Sequence, residues 1–354
     1  MRILFLQDHL RIGGTEKQTL ALASFGQEHG FETGVIVFRP GGTLSPTPGS
    51  SHFYKVLQPF NTRIDEWAPG LVRWIGSFQP DVIVFMGKVA HLFFISIRKY
   101  FPAVTLVATY RSGKPPVPYY ARALQQADGL ISNSQVEHKR LAQTLAIPPD
   151  RVKTVHNGCL LPSMLKKDTN PASSLRLLCS AMFRPQKNQL ELLSILAKLP
   201  AKIDWHCTFA GSGKMLKACK SLSRKLGLES RVTFTWSADP QSLYADHDLA
   251  LLTSDKEGMP NSLIEAQCAG LPVVAYLVNG VKESFEEGVS GYGIPFGDQQ
   301  AFLDALLLLA SNTEKLKQMS EAALIFGREH FGFAERSTDF FEALRKFHKA
   351  RRRE

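Results

Sequence analysis

The 354-residue chain lacks features that would assign it to several common classes of protein. No apolar run approaches the roughly 20 residues that a membrane-spanning helix requires. The apolar start is interrupted at Asp8 and no cleavage site follows it, so it predicts a first strand rather than a signal peptide. The five cysteines are odd in number and form no C-x-x-C pair, which is typical of reduced, buried thiols in a cytosolic protein.

Several catalytic and cofactor motifs are missing as well. The ten histidines show no H-E-x-x-H or other metal-ligand spacing, and no G-x-S-x-G nucleophile motif occurs. The loop after the first strand lacks G-x-G-x-x-G, which disfavours a dinucleotide site. The segment A-G-S-G-K-M at 210–215 resembles a phosphate loop, but Met215 stands where Ser or Thr would bind magnesium. We therefore predict no metal centre and no bound cofactor.

Positive charge is present in excess and is unevenly distributed. The net charge of the chain is +10, of which residues 1–165 carry +7, residues 166–344 carry −2 and residues 345–354 carry +5. Such clustering suits an anionic membrane surface or an acidic substrate, or else a solvated, solubilising surface. Nucleic acid is disfavoured because the aromatic residues do not form a base-stacking series.

Short apolar runs alternate with helical stretches along the whole chain. The runs are apolar throughout, as strands covered on both faces of a parallel sheet are. They lie at 3–7, 34–38, 81–86, 104–108, 129–132, 175–181, 206–211, 232–236, 249–254 and 272–276. This alternation predicts two doubly wound, Rossmann-like α/β domains, joined by a linker near 160–173 that is rich in Pro, Ser and charge. Two such domains would face each other across a cleft at the carboxyl ends of their strands, where ligands bind in this architecture.

The segment D-K-E-G-M-P-N-S-L-I-E at 255–265 follows one of these strands. Pro260 suits the first turn of a helix that Asn261 or Ser262 would cap, which places Glu265 about one turn into that helix and Glu257 in the loop before it. A helix N-terminus offers a seat for phosphate, and carboxylates accept hydrogen bonds from sugar and ribose hydroxyls. Taken alone, the segment is equally compatible with a capped helix that carries two solvated glutamates.

Two further loops follow predicted strands. In F-R-P-Q-K-N at 183–188, Arg184 and Lys187 would clamp a diphosphate, although solvated loop cations are the simpler interpretation. In R-I-G-G-T-E at 11–16, Gly13 and Gly14 allow a ligand to approach the backbone closely, and Glu16 lies in the first helical turn.

Together these segments resemble the family 4 (group 1) retaining glycosyltransferases, which have the GT-B fold. The similarity covers nearly the whole chain and includes G-G-T-E (13–16), A-D-G-L-I-S-N-S (127–134), V-H-N-G (155–158), R-P-Q-K-N (184–188) and A-G-S-G (210–213). The most specific match is E-G-M-P-N-S-L-I-E-A-Q-C-A-G-L-P-V-V-A (257–275), which contains the E-x7-E signature of the family.

The resemblance implies a set of roles. Arg184 and Lys187 would hold the pyrophosphate of a nucleotide-sugar donor, Glu257 would contact the donor sugar, and Glu265 would bind the ribose hydroxyls. Catalysis is assigned to Arg184, Lys187 and Glu257, and acceptor binding to Glu16 and Arg111. The implied donor site comprises Gly13, Gly14, Arg184, Lys187, Glu257, Gly258, Met259, Pro260, Asn261, Ser262, Leu263 and Glu265.

The sequence departs from the family at two positions. Many members carry T-x-H where this chain has Thr109-Tyr110-Arg111, and an arginine is a poor general base because it stays charged. Lys282 stands where Pro is common before the acid Glu283. A catalytically silent nucleotide- or carbohydrate-binding protein therefore remains an alternative, as does a nucleotide-sugar epimerase, for which we find no acid–base set.

The resemblance also implies an organisation and a location. We expect an acceptor-binding domain at 1–165, a donor-binding domain at 166–332, and a C-terminal helix at 333–354 that returns to the first domain. The expected reaction transfers a sugar from a nucleotide sugar, with UDP the commonest carrier, to a hydroxyl of a glycan or lipid-linked acceptor. We expect a cytoplasmic protein that docks on the inner face of an anionic membrane.

Overall fold

The structure, a computed structural model, describes residues 1–11, 13–42, 44, 53–160, 174–236 and 240–353, with backbone alone at 240–242. The chain divides into two compact units. Unit 1 comprises Met1–Gly158 and Phe333–Glu354, and unit 2 comprises Cys159–Gly332. The expected boundary at 165/166 and most of the expected linker at 160–173 lie outside the described residues.

Strands and helices alternate through both units, and the bounds of each element are as follows. The strands are β1 (Arg2–Gln7), β2 (Glu32–Val37), β3 (Phe53–Val56), β4 (Val82–Phe85), β5 (Thr105–Tyr110), β6 (Gly129–Ser132), β7 (Val152–Thr154), β8 (Leu175–Ser180), β9 (Trp205–Ala210), β10 (Val232–Thr235), β11 (Leu249–Leu252), β12 (Val273–Leu277) and β13 (Gly291–Pro295). The helices are α1 (Gly14–Glu28), α2 (Leu71–Phe78), α3 (Phe94–Tyr100), α4 (Pro118–Gln126), α5 (Gln135–Leu145), α6 (Gln189–Leu196), α7 (Leu216–Lys225), α8 (Pro240–Ala245), α9 (Asn261–Cys268), α10 (Gln299–Ser311), α11 (Thr313–Phe331) and α12 (Phe333–Arg351). Short 3₁₀ turns lie at Ala90–Phe93, Pro149–Arg151, Pro185–Lys187 and Asn279–Ser284.

Each unit contains one parallel sheet, as the sequence predicted. The order of strands is β3-β2-β1-β4-β5-β6-β7 in unit 1 and β10-β9-β8-β11-β12-β13 in unit 2. Every one of the ten apolar runs forms a strand of these sheets. The structure adds β3, β7 and β13, which the sequence did not reveal because their segments, F-Y-K-V, V-K-T and G-Y-G-I-P, are short and carry Lys, Gly or Pro in place of a continuous apolar run.

Both faces of each sheet are buried beneath helices. In unit 1, alternate residues of β1 point to opposite faces, with Leu4 and Leu6 packed towards α2–α5 and Ile3 and Phe5 packed towards α1 and α12. In unit 2, one face carries α6, α7 and α10, while the other packs against α9 through residues such as Leu263. Because helices cover both faces, the loops at the carboxyl edge remain the natural place for ligand contacts.

The C-terminal helix α12 belongs to the core of unit 1. Phe340, Leu344 and Phe347 are buried among residues of the N-terminal sheet. The helix comes so close to β6 that a Cβ added at Gly129 would lie 2.2 Å from the ring of Phe347. His348 Nδ1 and Thr105 Oγ1 are 2.9 Å apart. The final segment therefore completes the layer of helices that begins with α1.

The described residues include all five cysteines, and no two of them form a disulfide; four are buried and Cys268 is partly buried. Within the described ranges, no helix combines the length and apolar character needed to cross a membrane.

Burial of one histidine makes the stability of unit 1 sensitive to acid. His91, which is 1% exposed, donates from Nδ1 to the carbonyl of Gly87 at 2.7 Å, and its Nε2 has no hydrogen-bond partner among the described residues. Burial lowers the pKa of His91 to about 3 from its ordinary value of 6.5. The unfolded chain therefore binds a proton that the native chain excludes, so the contribution is fully present above pH 6.5 and is lost as the pH falls towards 3.

We expect the free energy of unfolding to fall by about 2 kcal/mol between pH 7 and pH 5 because of His91, since each pKa unit is worth about 1.4 kcal/mol. His91→Asn keeps a donor for Gly87 and removes the titrating group. The melting temperature of this variant should therefore depend less on pH in this range. The matched control is His29→Asn, because His29 makes the same i−4 contact, to Phe25, at an exposed position. Calorimetry between about pH 4.5 and about pH 7, the range in which free histidine titrates, provides the test. Equal slopes of melting temperature against pH for the two variants would refute the assignment.

Candidate functional site

The Arg184–Lys187 loop lies at the carboxyl edge of the unit 2 sheet, between β8 and α6. Asn188 follows it with a left-handed φ of 51°. The hydroxyl of Thr253, just after β11, donates to the carbonyl of Asn188 at 3.1 Å, and the N–H of Asp255 donates to the carbonyl of Gln186 at 2.9 Å. The loop is therefore fixed against the end of the neighbouring strand, which limits the positions that its two cations can occupy.

Lys187 and Glu257 form an ion pair across this edge. Lys187 Nζ donates to Glu257 Oε1, and the two side chains are 16% and 11% exposed. The structure thus brings together two residues that are 70 positions apart in the chain. An ammonium carries three donors, so Lys187 retains hydrogen-bonding capacity beyond Glu257. Arg184, in contrast, is exposed and forms no ion pair with any residue in the described part of the chain.

Glu265 lies in the second turn of α9 and is oriented by a buried tyrosine. The hydroxyl of Tyr244 donates to Glu265 Oε2 at 2.8 Å, and Tyr244 is 1% exposed. Burial, with the nearby Glu265 carboxylate adding to its effect, raises the pKa of Tyr244 well above its ordinary value, while a hydrogen bond with Ser180 opposes the rise. Tyr244 is therefore a neutral donor. The sequence did not point to Tyr244, because it lies before β11 and outside the E-x7-E segment, 21 residues ahead of Glu265.

The residues between the two glutamates differ from expectation in their side chains. The cap position of α9 is Pro260, which makes no side-chain cap hydrogen bond, so Asn261 and Ser262 are the first two residues of the helix rather than its cap. The side chains of Met259 and Leu263 are 4% and 1% exposed and belong to the core of unit 2. Contacts of these two residues with a ligand would therefore come from the backbone. Gly258 is buried beside them, and Ser262 is partly buried.

The first loop of unit 1 brings the Glu16 carboxylate close to Gly13. A Cβ at Gly13 would lie 2.3 Å from Glu16 Oε2, so the Glu16 carboxylate folds back over this glycine. Gly14 begins α1, and Ile12 lies outside the described residues. Glu16 is 8% exposed, and its Oε1 is 3.2 Å from His9 Nδ1.

An aspartate at this edge was missed by the sequence reasoning. Asp8 follows β1 directly, and its Oδ1 accepts from the N–H of Ala90 at 3.1 Å. Burial raises the pKa of Asp8 above its ordinary value. Its position immediately after a strand is the sequence signal that could have revealed it.

Arg111 is partly buried within unit 1. Its Nη1 donates to Asn157 Oδ1 at 2.6 Å, while its Nε has no partner among the described residues. Burial lowers the pKa of Arg111 to about 10, so the side chain remains charged at neutral pH. A small cavity beside Arg111 is also lined by Gln18, His156, Arg336 and Ser337. Arg111 therefore lies beside a cavity of its own unit that is lined by both polar and apolar side chains.

In the described part of the chain, no group of three or more His, Cys, Asp or Glu side chains is arranged to hold a metal ion.

Comparison with known proteins gives a consistent picture along the chain. The family model described as Glycosyltransferase Family 4 matches residues 12–159, and the model described as Glycosyl transferases group 1 matches residues 164–325. A D-inositol 3-phosphate glycosyltransferase of Mycobacterium sp. (strain KMS) is 31% identical over 247 residues, which cover 62% of this chain and 55% of the relative. A lipopolysaccharide 1,6-galactosyltransferase of Escherichia coli (strain K12) is 24% identical over 67% of each chain. The chain spans about half the length of the first curated relatives that it matches.

Solved structures share the fold over almost the full length. Crystal structures of Anabaena HepE in complex with UDP and with UDP-glucose match this chain with TM-scores of 0.83 and 0.82. Each match has 22% sequence identity and covers 97% of this chain and 99% of the other. Two parallel-sheet α/β units, matches to both family models and the shared fold lead to one conclusion: the chain belongs to the family 4, group 1 glycosyltransferases of the GT-B type.

Proposed function

We propose that the protein is a retaining glycosyltransferase that moves a hexose from a UDP-sugar to a hydroxyl of a lipid-linked or cell-surface glycan. The observation that carries the proposal is the Lys187–Glu257 ion pair at the carboxyl edge of the unit 2 sheet. It joins a cation suited to a diphosphate with a carboxylate suited to sugar hydroxyls. Support also comes from the names of the relatives, an inositol-phosphate glycosyltransferase and a lipopolysaccharide galactosyltransferase, and from the UDP complexes of HepE.

In the proposed donor complex, the diphosphate lies between Arg184 and Lys187. Lys187 donates to a phosphate oxygen while it keeps its bond to Glu257, because one ammonium can serve both. The second oxygen of Glu257 accepts from a sugar hydroxyl. Glu265, oriented by Tyr244, presents its carboxylate to the ribose. The α9 N-terminus adds a favourable field for the phosphates.

The proposed reaction is a front-face displacement at the anomeric carbon. The bond from that carbon to the diphosphate oxygen breaks, the acceptor oxygen forms the new bond on the same face, and the acceptor proton passes to the departing diphosphate. Arg184 and Lys187 stabilise the negative charge that develops on the leaving group. These two cations make a metal ion unnecessary in the proposal, and a loss of activity in EDTA that magnesium restores would contradict this point.

Arg111 takes no part as a base in this scheme. Its charged guanidinium, bonded to Asn157, has no lone pair for a proton at neutral pH. We assign it, with Glu16, to holding oxygen atoms of the acceptor. We place the reaction at the cytoplasmic face of a membrane, where an acceptor with a lipid anchor would be found.

The first test concerns the donor and Lys187. A UDP-sugar should raise the melting temperature more than GDP-, ADP- or dTDP-sugars, by linkage to the folded state. Lys187→Ala should lower kcat/KM by about 100-fold or more, because it removes charge stabilisation of the leaving group. The matched control is Lys198→Ala, since Lys198 is exposed beyond the far end of α6. Near-normal turnover by Lys187→Ala would refute the assignment.

The second test concerns Tyr244 as a positioning residue for Glu265. Tyr244→Phe keeps the ring and removes one hydrogen bond to a charged group, so we expect the KM for the donor to rise about tenfold while kcat changes less than about twofold. Tyr292→Phe on the edge strand β13 serves as the control. A purely structural role predicts instead a lower melting temperature with an unchanged KM.

The third test concerns stereochemistry. Proton NMR of the product formed at early times should show the same anomeric configuration as the donor. An inverted product would exclude the front-face scheme, because that scheme delivers the acceptor on the face from which the diphosphate leaves.

A further inference from the structure

Exposed apolar side chains are concentrated in one short stretch of unit 1. Thirteen large hydrophobic residues are exposed among the described residues, and five of them fall within 56–72. We name these five the 56–72 patch: Val56, Phe60, Ile64, Trp67 and Val72. Phe60 is 67% exposed and Ile64 is 52% exposed. The rings of Phe60 and Trp67 lie 6.5 Å apart, so these two exposed aromatic side chains are neighbours. Contiguous exposed apolar side chains mark contact sites, because water disfavours them.

The loop that carries the patch is hydrogen-bonded to a buried glutamine side chain. Gln58, which is 1% exposed, donates from Nε2 to the carbonyl of Ile64 at 2.9 Å and to that of Trp67 at 2.7 Å. Its Oε1 accepts from the hydroxyl of Thr62 at 2.9 Å. One buried amide therefore binds the loop at Thr62, Ile64 and Trp67, and this framework supports the apolar side chains that face solvent.

A second tie comes from the neighbouring strand. Asp65 forms an ion pair with Arg39, which lies just beyond β2. This pair neutralises an acid inside the patch and anchors the middle of the loop. The exposure of Phe60, Ile64 and Trp67 is thus a consequence of polar contacts that the fold maintains.

The charges around the patch are predominantly positive. Lys55, Arg63 and Arg73 flank it against the single acid Glu66, once Asp65 is neutralised by Arg39. Lys55 Nζ and Arg73 Cζ lie 4.3 Å and 5.5 Å from the ring of Trp74. Aromatic and aliphatic side chains rimmed by cations are the composition of protein surfaces that enter the boundary between lipid headgroups and acyl chains. The cations complement an anionic leaflet.

The location of the patch relates it to the acceptor side of the site. The loop follows the carboxyl end of β3, and all strands of this sheet are parallel. The patch is therefore at the same edge as Gly13, Glu16 and Arg111. The basic helix α12 packs on the other face of the sheet from α2, so its charges form a separate surface.

We propose that the 56–72 patch inserts into the surface of an anionic bilayer and brings the acceptor-binding edge of unit 1 to the lipid. This inference rests on the proposed function, in which the acceptor has a lipid anchor and docking brings the protein to it. A soluble saccharide is a poorer occupant, because Val56, Ile64 and Val72 offer no partner for its hydroxyls.

The test compares sedimentation of the full chain with vesicles of phosphatidylcholine, with or without phosphatidylglycerol. We expect binding to the anionic vesicles, and we expect Phe60→Ser/Ile64→Ser/Trp67→Ser to lower the partition coefficient at least about tenfold through lost apolar contact. The matched control, Val289→Ser/Leu308→Ser/Ile325→Ser, removes exposed apolar side chains from unit 2 and should bind as the parent does. Melting temperature and UDP affinity, measured for every variant, separate docking from folding and from the proposed function.

Three outcomes would overturn the proposal. The first is an unaltered protein that fails to bind anionic vesicles at low salt. The second is a patch variant that binds as well as the parent, whereas Arg345→Gln/Lys346→Gln/Lys349→Gln on α12 abolishes binding. The third is self-association in the ultracentrifuge that the patch substitutions abolish without any change in vesicle binding. Failure to bind UDP would count against the proposed function and would leave the docking result standing.

Discussion

Burial of both faces of a parallel sheet is the constraint on which the rest of each unit depends. Helices cover the faces, so polar and charged side chains with chemical roles are confined to the loops at the carboxyl edge. In unit 2 this edge holds Arg184, Lys187 and Glu257, and Glu265 follows in α9. In unit 1 it holds Asp8, Gly13 and Arg111. The sheet does not perform chemistry itself, but it determines where loops from distant parts of the sequence meet.

Buried polar contacts then fix the side chains at that edge. Tyr244 holds one oxygen of Glu265, and Thr253 holds the backbone beside Lys187. A similar network supports the start of α6, where Tyr276 donates to Glu191 Oε1 at 2.5 Å and Asn188 donates to the other oxygen of the same carboxylate. Buried polar groups are costly unless they are hydrogen-bonded, so these networks tolerate few alternative arrangements. Lys187, Glu257 and Glu265 are consequently preorganised, which is the property that electrostatic catalysis requires.

Buried polar contacts also fix the surface of unit 1, but there they hold apolar side chains in the solvent. The hydrogen bonds of Gln58 and the Arg39–Asp65 ion pair hold the loop in a conformation that exposes its apolar side chains to water. Hydrophobic collapse of the 56–72 loop would break these contacts. The exposed patch lies at the carboxyl edge of the unit 1 sheet, as do Gly13, Glu16 and Arg111, which relates the surface chemistry of unit 1 to the acceptor that we propose.

The sequence by itself determined the two parallel sheets, because strands buried on both faces must be apolar throughout and ten runs had that character. It also determined the E-x7-E helix and the loops with Arg184 and Gly13, since each follows such a run. It missed β3, β7 and β13, because these short segments carry Lys, Gly or Pro and so lack a continuous apolar run. The tertiary structure alone decided the contacts between distant residues. Lys187 with Glu257, Tyr244 with Glu265, and Arg111 with Asn157 are pairs that strand order, and not spacing along the chain, brings within hydrogen-bonding distance.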